Sequence, residues 1–125
     1  MDVQKQIAYW RDGSVGNLES AEILIAKGKC LDGLFFCHLT LEKILKALVV
    51  KVTQEVPPKI HHLGELRRIS GIEMEESQRL FLGEMNDFAR EARYPIPSKD
   101  LPSRSRAENL LQKTKEIHQW LINQL

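Results

Sequence analysis

The sequence predicts an all-α protein, an up-and-down bundle of about five helices. Three observations predict it. Apolar residues recur at three- and four-residue intervals along almost every segment, the mark of helices with one buried face. No stretch alternates apolar and polar residues as a strand does. Glycines and prolines punctuate the chain at Gly28, Pro57-Pro58, Ser70-Gly71 and Tyr94-Pro95-Ile96-Pro97, cutting it into pieces of helical length.

The first helix is predicted from about Val3 to Lys27, with Ile7, Trp10, Leu18, Ala21, Leu24 and Ile25 on its inner side. Gly13 and Gly16 weaken its middle by up to about 1 kcal/mol each relative to Ala, which allows a kink or break near Asp12–Ser14. Gly28 supplies a stop. The second helix, about Asp32 to Thr53, is apolar over most of its circumference through Leu34, Phe35, Phe36, Leu39, Leu41, Ile44, Leu45, Leu48 and Val49. At about 100° per residue, His38, Glu42 and Lys46 share one narrow polar stripe, with Lys43 to one side. A helix so apolar is buried on several sides, and in a domain this small part of that burial is expected from a second copy of the chain. Pro57-Pro58 ends it.

A short third helix is expected near His61 to Ile69. The fourth runs from about Met74 to Arg93, with Leu80, Phe81, Glu84, Phe88 and Ala92 at helical spacing. Tyr94 to Pro97 is expected to be extended, because proline disfavours helix at the preceding residue. The fifth, about Arg104 to Leu125, buries Leu110, Leu111, Ile117, Leu121 and Ile122.

Composition bounds the function. A chain of 125 residues, 42% hydrophobic and 28% charged, has room for a single domain spanning 1–125 with one core. No apolar run approaches the roughly 20 residues that cross a bilayer. The N-terminus has no basic region followed by an apolar core, so a cytoplasmic location is expected. Cys30 and Cys37, if on one helix, are separated by about 10.5 Å of rise, beyond disulfide reach, and are expected to be free thiols.

The net charge of +1 creates no global field for nucleic acid. Its distribution is uneven. Five acids and one base, Arg79, lie between Ile72 and Asp87; seven bases and three acids lie between Arg90 and Lys115. Such asymmetry can steer an anionic partner, and solvated helix faces also produce it.

Phosphate-loop, dinucleotide, zinc-protease and serine-hydrolase signatures are all missing, so no cofactor is expected. His61 and His62 are adjacent, about 100° apart on a helix, and do not chelate one ion as an i, i+4 pair does. A capping or interhelical hydrogen bond is expected of them, and no metal.

The run Phe35-Phe36-Cys37-His38-Leu39-Thr40-Leu41-Glu42-Lys43-Ile44-Leu45-Lys46-Ala47-Leu48 carries a recognisable arrangement. So do Tyr9-Trp10 before it, Pro57-Pro58-Lys59-Ile60-His61-His62-Leu63 after it, and Arg93-Tyr94-Pro95 later. Together they resemble the HEPN family, over nearly the whole chain and in the same order and spacing. The resemblance implies a helical bundle that dimerises. It also implies a small partner of a minimal nucleotidyltransferase, in a toxin–antitoxin or antiviral setting. Many HEPN proteins are metal-independent RNases in which an Arg is followed four to six residues later by a His. Here Arg90 is followed at those positions by Tyr94, Pro95 and Ile96, and Arg93 by Pro97, Ser98 and Lys99. RNase activity by that route is therefore not expected.

The reading is a dimeric HEPN protein that binds nucleotide or RNA and pairs with a minimal nucleotidyltransferase. Candidate binding residues are Arg93, Tyr94, Arg90, Lys46, Glu42 and His61. Arg offers bidentate phosphate contacts and Tyr a stacking face; Arg93 could equally pair with an acid of helix four or two. Glu42 and Lys46, at i and i+4, either stabilise their helix or line a dimer groove. The alternatives are an RNase with a displaced histidine, His38 or His61, and a purely structural helical adaptor.

Overall fold

The computed structural model describes residues 1–91 and 101–125, and the side chains of all of these except Arg90 and Glu91. Five helices follow one another: α1 (Val3–Ala26), α2 (Cys30–Thr53), α3 (Leu63–Ser70), α4 (Glu76–Glu91) and α5 (Arg104–Ile122). No strand is present among the described residues.

Local chemistry sets the helix ends. Asp2 caps α1 by accepting the Lys5 N–H at 3.1 Å, and Ser103 caps α5 by accepting the Arg106 N–H at 3.1 Å; each satisfies one of the orphan donors of a first turn. Helix α3 begins at Leu63, two residues later than expected, because His62 serves as its cap: His62 Nδ1 accepts the Glu65 N–H at 3.1 Å. It stops at Gly71, whose φ of 73° closes the last turn at no steric cost to a residue without Cβ. The expected weakness at Asp12–Ser14 does not break α1, which runs unbroken through Gly13 and Gly16. Packing of its inner face on α2 outweighs two weak positions.

Helix α2 is the axis of the molecule, and α1, α3, α4 and α5 all pack on it. Leu34, Leu41, Ile44, Leu45 and Leu48 are fully enclosed. That enclosure comes from the same chain, so the apolar circumference of α2 does not by itself require a second copy. The link between α1 and α2 is tight. A Cβ on Gly33 would collide with Ile25 Cγ1 and stand 3.2 Å from the Ala21 carbonyl oxygen, so only glycine allows the two backbones to come this close.

The polar stripe of α2 is also not a solvent face. His38, Glu42 and Lys46 are only 1%, 5% and 5% exposed. In the opposite sense, Leu80 faces outward at 65% exposure, and the inner side of α4 is carried by Phe81, Leu82, Met85 and Phe88. Cys30 and Cys37 are free thiols. Burial beside α5 pushes the Cys37 thiol up to about 12, which leaves it protonated and inert. No helix among the described residues is long and apolar enough to cross a membrane.

Candidate functional site

Three of the six candidate residues converge. Glu42 projects from α2 into the interior, where its carboxylate is the centre of a cluster. Lys46, one turn on, donates from Nζ to Glu42 Oε2 at 3.0 Å. The same ammonium lies 5.2 Å from the centroid of the Trp10 ring on α1, within the range of a cation–π contact. His61 reaches the carboxylate from the segment before α3, its Nδ1 3.1 Å from both Glu42 oxygens.

His38 lies one turn before Glu42 and completes the cluster. Its Nε2 is 3.1 Å from the backbone oxygen of His61. A carbonyl only accepts, so Nε2 carries the proton and Nδ1 does not. That bare Nδ1 is buried, has no hydrogen-bond partner among the described residues, and faces Glu42 Oε1 at 3.8 Å. Burial holds the His38 imidazole below its usual range; the Glu42 carboxylate and the His61 carbonyl pull the other way and are outweighed.

Exposure divides the cluster into an inner and an outer part. The side chains of Glu42, Lys46 and His38 are 6%, 6% and 2% exposed, whereas that of His61 is 57% exposed. A buried ion pair thus ends at the surface in one imidazole. Helix α4 closes the neighbouring side, where Asn86 Oδ1 accepts the Leu63 N–H at 2.9 Å. Asn86 carried no sequence signal, since a lone amide on a helix is indistinguishable from a solvated one until its neighbour is known.

Arg90 occupies α4 one turn beyond Asn86; its side chain, and the whole of Arg93 and Tyr94, lie outside the described residues, as do Ala92 and the Tyr94–Pro97 segment expected to be extended. The basic stretch that follows is less free than its linear charge suggests. Arg104 pairs with Glu108 at 3.0 Å and donates to the Ala26 carbonyl. Arg106 pairs with Glu84 across the α4–α5 boundary, and Lys115 with Glu22 on α1. Arg79, amid acids in the sequence, donates to the Met74 carbonyl. No group of three His, Cys, Asp or Glu side chains suited to a metal ion occurs among the described residues.

A buried carboxylate, two histidines and a lysine, with no metal cluster, define a site for hydrogen bonding and proton transfer. Compared with known protein families, residues 7–125 match the HEPN domain. The chain belongs to the HEPN domain family. No curated protein and no solved structure matches it.

Proposed function

We propose that this chain is a single-domain, dimeric HEPN protein that binds nucleotide or RNA and pairs with a minimal nucleotidyltransferase in a toxin–antitoxin-like system. The observation that carries the reading is the family match over residues 7–125. The cluster at Glu42 supports it by supplying an exposed imidazole on a rigid buried base. Arg90, Arg93 and Tyr94 would add phosphate and base contacts.

Binding of this kind is dominated by phosphate and weakens steeply with salt. Titration of a labelled short RNA and of ATP at low and high salt tests it. Arg93→Ala is expected to weaken binding more than Arg79→Ala, because Arg79 is engaged with the Met74 carbonyl. No binding at low salt would sink the reading. Light scattering at micromolar concentration is expected to report about twice the 14.4 kDa chain mass; a clean monomer would remove the dimer. A nucleotidyltransferase encoded beside this chain is expected to co-purify with it.

One observation favours a second reading, an RNase with a displaced histidine. His61 is held by a carboxylate and open to solvent, as a catalytic base has to be.

A further inference from the structure

We infer that Glu42 and His61 form an oriented proton-transfer pair, in which His61 Nε2 accepts the proton of a ribose 2′-hydroxyl beside a phosphodiester of bound RNA. The inference rests on the RNA-binding reading above and on its second form.

Orientation is the first part of the argument. A carboxylate has no proton to give near neutral pH, so a ring nitrogen 3.1 Å from both of its oxygens must be the donor. The Nδ1 proton is thereby fixed, and the lone pair is left on Nε2, at the opposite edge of the ring. Glu42 is buried, and that of His61 is more than half exposed; the basic nitrogen therefore belongs to the outward edge.

Rigidity is the second. Lys46 holds Glu42 Oε2 from behind at 3.0 Å, so the carboxylate cannot turn away. His38 donates to the backbone oxygen of His61 at 3.1 Å. One residue is thus gripped twice, by its ring through Glu42 and by its main chain through His38. A base positioned in this way loses little freedom when a substrate arrives.

Charge is the third. When Nε2 takes a proton, the imidazolium is left against an anionic partner, and Glu42 stabilises it as the orienting acid of a histidine base does. The charged and titratable groups around the pair are Glu42 itself, Lys46 and His38 on α2; none of them is exposed enough to compete for the substrate. Glu42 is a positioning residue and His61 the base.

The step balances without a metal or a redox partner. The 2′-hydroxyl proton passes to His61 Nε2 while the 2′-oxygen bonds to the adjacent phosphorus. The bond from phosphorus to the 5′-oxygen breaks, and that oxygen takes a proton from solvent. His61 then returns its proton to solvent, leaving a 2′,3′-cyclic phosphate and a 5′-hydroxyl end.

The test uses the full chain, labelled single-stranded RNA and EDTA, with binding and cleavage measured separately. Cleavage to cyclic-phosphate ends is expected, reduced about 100-fold or more in His61→Ala. His62→Asn is expected to cleave normally, since Asn keeps the cap of α3. Nitrogen NMR is expected to find the His61 proton on Nδ1 in the native chain and distributed over both nitrogens in Glu42→Gln, with an altered pH profile of cleavage. RNA that binds without being cleaved would overturn the inference and leave the binding reading standing. So would cleavage undiminished in His61→Ala, or a proton found on Nε2. Absence of RNA binding at low salt would overturn both readings together.

Discussion

Ser14 Oγ lies 2.8 Å from His118 Nε2, tying the middle of α1 to α5 across 104 positions of sequence. Both residues are buried, at 0% and 4% exposure. The Ser14 hydroxyl also donates to the Arg11 carbonyl at 2.6 Å. Its one proton is spent there, so His118 donates from Nε2 to the serine oxygen. Ser14→Ala leaves that buried N–H without a partner and is expected to cost about 1–3 kcal/mol in urea denaturation. Adding His118→Leu removes the stranded group and should recover part of the loss. An unchanged midpoint in Ser14→Ala would show the contact to be energetically empty.

Acid is expected to destabilise the fold through two histidines. Burial lowers both His38 and His118 from the ordinary 6.5. Below that value the unfolded chain binds protons that the folded chain refuses, so stability rises with pH. The contribution is complete above pH 6.5 and is lost as pH falls from there toward the lowered folded values. Denaturation at about pH 7.5 and about pH 5 measures it. His118→Leu is expected to flatten the difference, and a steeper difference in that variant would contradict the assignment.

The Glu42–Lys46 pair is expected to be costly to break and cheap to replace whole. Lys46→Met strands a buried carboxylate, a change worth about 3–5 kcal/mol. The double variant Glu42→Leu with Lys46→Met strands no charge and is expected to regain most of that. A thermal melt of the three proteins decides it. Equal losses in the single and double variants would mean that the pair acts through packing alone.

Two glycines should respond oppositely to alanine. At Gly33 the new methyl meets Ile25 and the Ala21 carbonyl, and overpacking of this kind costs about 1–3 kcal/mol. At Gly83 in α4 nothing lies within 4 Å of a built Cβ. There alanine should stabilise by up to about 1 kcal/mol through helix propensity. Chemical denaturation reads both signs, and a stable Gly33→Ala would refute the close approach of α1 and α2.

The helices were legible because their signals are local. Apolar periodicity and Pro57-Pro58 place α2 at Asp32–Thr53, against the observed Cys30–Thr53. The third helix is misplaced by two residues because His62 is not an ordinary cap, and nothing in its neighbours distinguishes a capping imidazole from a helical one. The Glu42–Lys46 spacing is visible in the sequence, but its burial is not. A polar stripe on an apolar helix reads the same whether water or a second polar group faces it, and here His61 arrives from beyond two prolines. Ser14 and His118 gave no sign of each other, since pairing across 104 residues has no period. Arg93 and Tyr94 lie outside the described residues.

The short Lys27–Lys29 link between the two longest helices has a kinetic consequence. Bringing α1 onto α2 closes a small loop and costs little chain entropy, whereas α5 must return from the far end of the chain to reach Ser14. The α1–α2 hairpin is therefore expected to be the folding nucleus, with α5 docking after the rate-limiting step. In stopped-flow experiments Gly33→Ala should act mainly by slowing refolding, and His118→Leu mainly by speeding unfolding. The reverse pattern would place the nucleus at the α1–α5 contact. On the expected order, a chain released from the ribosome up to Thr53 already holds the hairpin on which Glu42 sits, before His61 has been made.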